Sequence, residues 1–179
     1  SGTVTYPAEF MMVCAMNPCK CGWYGDPSGR CRCSQREVDA YRSRISGPML
    51  DRIDIVVEVP SVAFEDLRLR QEAEPSRDIK ARVDAARKIQ NRRFENSGMY
   101  NGRMGPEQMR KFCQLDAGCE KLMKMAYDHY GLTARSYDRI VRVARTIADL
   151  AGSQNIGYEH IYEALQFRMV GMGENELRG

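Results

Sequence analysis

The stretch NPCKCGWYGDPSGRCRCS, residues 17–34, packs four cysteines into fifteen positions as two C-x-C pairs separated by nine residues. Four thiols so close together leave the backbone few choices. They must fold back on one another around a shared centre, or be kept apart as free thiols, or pair as one or two disulfides. Zinc takes four tetrahedral ligands, and an all-cysteine set makes a closed, structural site. Cys19, Cys21, Cys31 and Cys33 supply that number, and Gly22, Gly25 and Gly29 allow the loop between the pairs to reverse. Lys20, Arg30 and Arg32 flank the thiols, favour thiolates and offset the charge of a zinc–tetrathiolate centre. The spacing departs from the common C-x2-4-C knuckle, because C-x-C places both ligands on one side of an extended chain. No histidine lies close in sequence, which excludes the usual composition of a catalytic zinc. We therefore expect structural Zn2+ at these four residues.

The other three of the seven cysteines, Cys14, Cys113 and Cys119, sit in apolar surroundings and read as ordinary small buried residues. Paired cysteine spacing without a charged-then-apolar leader suits a cytoplasmic protein. No run of eighteen apolar residues occurs, so no membrane span is expected. The formal charge of +3, from 27 basic and 24 acidic side chains, is too small to argue for nucleic-acid binding by itself.

The flanking sequence changes character once. Phe10–Met16, FMMVCAM, is a short apolar run bounded by Pro7 and by Asn17-Pro18, the pattern of a buried strand. Ser34 with Glu37 forms a capping-box signature for a helix that Gly47-Pro48 stops. Asp54–Pro60, DIVVEVP, reads as a second strand. Beyond Pro60 the periodicity is helical throughout: residues 61–70, 77–96, 106–115, 117–130, 133–151 and 158–169. In the 133–151 segment Arg135, Arg139, Arg142 and Arg145 share one face, a candidate basic stripe, while Ile140, Ala144, Ile147 and Ala151 form the core-facing side.

The strings AMNPCKCGWYGDP, CRCS, RISGPMLDRIDIVVEVP and LTARSYDRIVRVARTIADLAG resemble the magnesium-chelatase-like AAA+ ATPases of bacteria, the ComM/YifB type, over nearly the whole chain. The resemblance implies an α/β fragment of an AAA+ core, with two parallel strands and a zinc-loop insertion, followed by an all-α helical lid. Residues 3–60 would be the C-terminal part of the core, with the four-cysteine insertion at 17–34, and residues 61–171 the lid. No GxxxxGK[ST] phosphate loop occurs. The resemblance places that Walker A loop and the Walker B acid upstream, so the chain would be a C-terminal portion, inactive alone, of a protein that binds ATP and Mg2+.

The resemblance also implies roles. Asn17 falls at sensor 1, where an uncharged amide that donates and accepts can orient the attacking water; read alone, it starts a turn before Pro18. Arg52 falls at the arginine finger, which serves the neighbouring subunit's ATP, with Arg44 the second choice; read alone, Arg52 is a surface partner of Asp51 or Asp54. Arg135 falls at sensor 2, contacting nucleotide. The intact protein would be a hexameric ring that couples ATP hydrolysis to DNA remodelling, such as branch migration or helicase action in competence and recombination. Two other readings stay open: the motor subunit of a metal chelatase, and a non-catalytic, zinc-stabilised helical binding module. Seven basic against three acidic residues between Arg77 and Glu95 make a weak DNA-contact candidate. Trp23 and Tyr24 either stack on bases or pack the insertion.

Overall fold

The computed structural model describes residues 2–6, 10–62 and 73–169. The chain divides into two compact units, Ser1–Ser46 and Gly47–Gly179. Among the described residues there are seven α-helices, one short 3-10 turn and no strand.

In the first unit one helix, α1 (Gln35–Arg42), follows the cysteine segment. The capping box forms as the sequence implies: the Glu37 N–H donates to the Ser34 hydroxyl, and Glu37 accepts in return from the Ser34 N–H at 2.9 Å. Val38 is fully buried and is the apolar anchor of this small unit.

The second unit is helical. It runs through α2 (Gly47–Leu50), α3 (Ser76–Arg93), a 3-10 turn (Asn101–Arg103), α4 (Pro106–Phe112), α5 (Ala117–Tyr130), α6 (Ala134–Leu150) and α7 (Tyr158–Met169). Asp116 caps α5 by accepting from the Cys119 N–H, and Gly131, left-handed at φ 59°, ends it. Thr133 and Ser136 exchange bonds to start α6. The core is built from Met123, Ala126, Leu132, Ile140, Ala144, Ile156, Ile161 and Leu165 with their neighbours, and α6 against α7 is its largest helix contact. Cys113 and Cys119 are buried in it, as the sequence implies, and burial raises both thiols to about 11.

Three expectations change. The two predicted strands are not formed. Phe10, Met11 and Val13 are exposed, and so is Cys14. Among the described residues Asp54–Pro60 has no ladder partner; its backbone tie there is the Val56 N–H donating to the Phe167 carbonyl of α7 at 2.9 Å. Apolar β-branched sequence specifies a preference for strand, but a strand exists only beside another, and no such partner occurs among the described residues. The helix expected to reach residue 96 ends at Arg93, where Glu95 and Asn96 turn to positive φ. Its predicted apolar positions Ile79 and Val83 are exposed. The helix expected at 61–70 lies mostly outside the described residues.

The basic stripe on α6 is the third correction. Arg145 is 2% exposed and faces the interior. Its Nε donates to Asp149 at 3.2 Å, and its Nη atoms donate to the carbonyls of Ser153 and Gln154 at 2.7 and 2.9 Å. Asp149, 1% exposed, also accepts both Nη atoms of Arg93 from α3 and the Asn101 amide at 2.7 Å. Burial opposes the Arg145 charge, and Arg93 adds to that opposition; the Asp149 carboxylate is what sustains it.

Asp149→Ala leaves two guanidinium groups together in a dry interior. We expect a loss of about 3–5 kcal/mol in unfolding free energy, read by urea denaturation, with Thr146→Ser nearly neutral as the neighbouring control.

Candidate functional site

The four cysteines come together. The Sγ atoms of Cys19, Cys21, Cys31 and Cys33 all lie within 4.8 Å of one another. Cys19 to Cys21 is 3.2 Å, Cys21 to Cys31 is 3.6 Å and Cys19 to Cys31 is 3.9 Å, and none is joined in a disulfide. Sulfurs around a tetrahedral zinc at bonds of about 2.3 Å stand about 3.8 Å apart, so the donor set and its span fit such an ion. The first pair is turned by the Gly22 N–H donating to the Cys19 carbonyl at 3.0 Å, with Gly22 at φ 84°, where a side chain is strained.

The electrostatics of the cluster favour a cation. Burial works against a thiolate at Cys19, but hydrogen bonds from the Cys21 thiol and from the backbone at Cys21, Tyr24 and Trp23 prevail and bring it down to about 6. Burial and the thiols of Cys21 and Cys19 push Cys33 up to about 12. The thiolate is thus favoured at Cys19 and opposed at Cys31 and Cys33, an opposition that a divalent ion would relieve.

The insertion is fastened to α1 by contacts that sequence alone does not disclose. Lys20 pairs with Glu37, Arg42 Nε donates to the Pro18 carbonyl at 3.3 Å, and the Tyr24 hydroxyl donates to Gln35 at 3.1 Å. The Arg30 guanidinium lies 4.6 Å from the Trp23 ring centre and that of Arg42 5.1 Å from Tyr24. Tyr24 is half-buried against the insertion, while Trp23 stays exposed under Arg30. Lys20, expected to serve the thiols, is engaged first by Glu37.

Asn17 is exposed beside this cluster, its side chain near Gly22. In the second unit Arg52 is exposed on the turn after α2, where its Nη1 donates to the Pro48 carbonyl at 2.7 Å. It pairs with neither Asp51 nor Asp54. Arg44, the alternative finger, lies over Tyr41 in the first unit. Arg135 is exposed in the first turn of α6. One turn further along, Arg139 binds the Arg52 carbonyl at 2.7 Å and the Asp54 carboxylate, so the helix bearing Arg135 touches the turn bearing Arg52.

Residues 73–168 match the family model described as magnesium chelatase, subunit ChlI C-terminal, and residues 1–67 match that of magnesium chelatase, subunit ChlI. The chain belongs to the magnesium chelatase ChlI family. Within that family it is of the ComM/YifB type: it is 35% identical to the uncharacterized protein YifB of Escherichia coli K12 over 93% of this chain, and 35% identical to the competence protein ComM of Haemophilus influenzae over 92%. An uncharacterized protein of Mycobacterium tuberculosis H37Rv is 34% identical over 95%. The chain spans about a third of the length of these relatives, 32–33%. No helix among the described residues is long and apolar enough to cross a membrane.

Glu37 offers a pH test of how this family member secures its cysteine segment. Lys20, with the Ser34 backbone and hydroxyl, holds its carboxyl at about 2, below the ordinary 4.5. A depressed folded pKa gives stability that is complete above the unfolded value and lost as pH falls through the folded one. Protection of the Ser34 amide in hydrogen exchange should therefore persist below pH 4.5 and fail towards about 2; in Glu37→Ala, which removes the acceptor, it should be weak at every pH, and in Glu37→Gln, which keeps an uncharged acceptor, it should lose its pH dependence.

Proposed function

We propose that the intact protein is a magnesium-chelatase-like AAA+ ATPase, a hexameric ring in the cytoplasm that couples ATP hydrolysis to remodelling of DNA. The observation that carries this reading is Arg52. Its guanidinium is exposed on a short turn and, among the described residues, has a single bond to a carbonyl four residues back, so it can leave that bond for a phosphate. A finger of this kind neutralises charge developing on a transferred phosphoryl group in the neighbouring subunit. Arg135, one turn from the residue that binds the Arg52 carbonyl, would contact nucleotide as sensor 2, and Asn17 would orient water as sensor 1. ATP and Mg2+ would be held by the remainder of the protein. In this reading the exposed apolar runs around Val13 and Val57 are covered by the rest of the α/β core.

DNA is the favoured substrate because one relative is named a competence protein. The family description itself, magnesium chelatase, supports a second reading in which the same motor drives metal insertion into a porphyrin. DNA-stimulated against porphyrin-dependent ATPase of the intact protein separates them.

Cys19, Cys21, Cys31 and Cys33 would hold a structural Zn2+, which supplies a cross-link between the two ends of the insertion. Elemental analysis is expected to give about one zinc per chain, and Cys31→Ser to lower it sharply; a folded, zinc-free protein would refute the metal. In the intact protein Arg52→Ala should leave ATP affinity within about twofold and lower kcat by about 10³ or more. Unchanged turnover would remove Arg52 as the finger.

A further inference from the structure

The turn that bears Arg52 is too short to hold itself. α2 has four residues, far below the length at which an isolated helix is stable. Its geometry is imposed by two arginines that lie far off in the chain. Arg168, on α7, places Nη1 at 2.9 Å from the Leu50 carbonyl and 3.1 Å from that of Ile53, and Nη2 at 2.6 Å from Asp51 Oδ1. Arg139, on α6, takes the Arg52 carbonyl and the Asp54 carboxylate. The Val56 N–H is held by Phe167. Every residue from Leu50 to Asp54 is therefore tied to a lid helix through its carbonyl or its carboxylate, and the one long side chain left exposed among them is that of Arg52.

As a device for stability this is a poor one. Arg168 is 6% exposed, and its Nε, like that of Arg139, has no hydrogen-bond partner among the described residues. A buried guanidinium with an unmet donor contributes less than a well-packed apolar side chain of similar volume. What it supplies is direction. A planar fork meeting two carbonyls and a carboxylate at once fixes the turn in translation and rotation, which a lysine or a leucine cannot do.

We propose that Arg168, assisted by Arg139, is a positioning residue for Arg52: the lid helices set the angle at which the finger is presented. This rests on the reading of Arg52 as the finger. Arg168 touches neither nucleotide nor Arg52's guanidinium in this scheme. It acts by holding the backbone on either side, so any shift of α7 against α2 is transmitted to the finger.

The test uses the intact protein with Arg168→Gln, Arg168→Lys, Asp51→Asn, Asp51→Ala and Arg52→Ala. Arg168→Gln is expected to lower kcat by about 10–100-fold with KM for ATP nearly unchanged, and Arg168→Lys to recover little of it. Asp51→Asn, which keeps an oxygen acceptor, should retain more of the rate than Asp51→Ala. A second readout does not depend on activity: trypsin cleavage after Arg52 should accelerate several-fold in Arg168→Gln, while cleavage after Arg44 in the other unit does not. Normal kcat in Arg168→Gln, with turnover lost in Arg52→Ala, overturns the positioning role and leaves the finger standing. Normal turnover in Arg52→Ala removes the finger itself; unaltered cleavage after Arg52 in Arg168→Gln then overturns the clamp as well. Should Arg168→Gln fail to fold, the Asp51 pair carries the same comparison.

Discussion

Asp149 makes the helical unit possible. Two guanidinium groups, from Arg93 and Arg145, converge on this one buried carboxylate, and Asn101 and the carbonyls of Ser153 and Gln154 complete the network. Residues far apart in sequence thereby meet at a point with fixed directions. An apolar contact in the same place would tolerate sliding of α3 along α6; a forked hydrogen bond does not. The net positive charge of the group, two cations against one anion, is tolerable only because both arginines are also bonded to neutral oxygens. The same device appears at another point of the unit, where Arg168 and Arg139 grip the turn after α2. Packing supplies the stability of this unit, and arginines supply its register.

The first unit is solved differently because it has so little to bury. Among its described residues Val38 and Cys19 are the fully buried apolar groups, while Phe10, Met11 and Val13 are exposed. The cysteine cluster is fastened to α1 through Lys20, Tyr24 and Arg42, so polar contacts do here what packing does in the helical unit. The turn at Gly22 and backbone N–H groups directed at Cys19 hold the cluster's geometry.

Sequence made the local features legible. The bounds of α5 and α7 follow from their periodicity, Ser34 and Glu37 announce α1, and the C-x-C pairs mark the cluster. What it concealed is nonlocal. Strand character at Phe10–Met16 and Asp54–Pro60 is a propensity, and pairing depends on partners that the local sequence does not specify. Spacing alone puts Arg145 on the same face as Arg135, Arg139 and Arg142, yet it turns inward. Asp149, one turn later, was the available sign that this arginine had a buried counter-ion. For Arg168 there was no sign, because its acceptors at Leu50, Asp51 and Ile53 lie more than a hundred residues earlier. The interaction that orients Arg52 is therefore invisible to motif reading, although Arg52 itself stands in the most recognisable string of the chain.

The most direct measurement is a structure of the assembled intact protein with Mg2+ and a non-hydrolysable ATP analogue. We expect the Arg52 guanidinium of each subunit within hydrogen-bonding distance of the terminal phosphate bound by its neighbour, with Arg168 still on Asp51. An Arg52 that remains on the Pro48 carbonyl, remote from any nucleotide, would contradict the account.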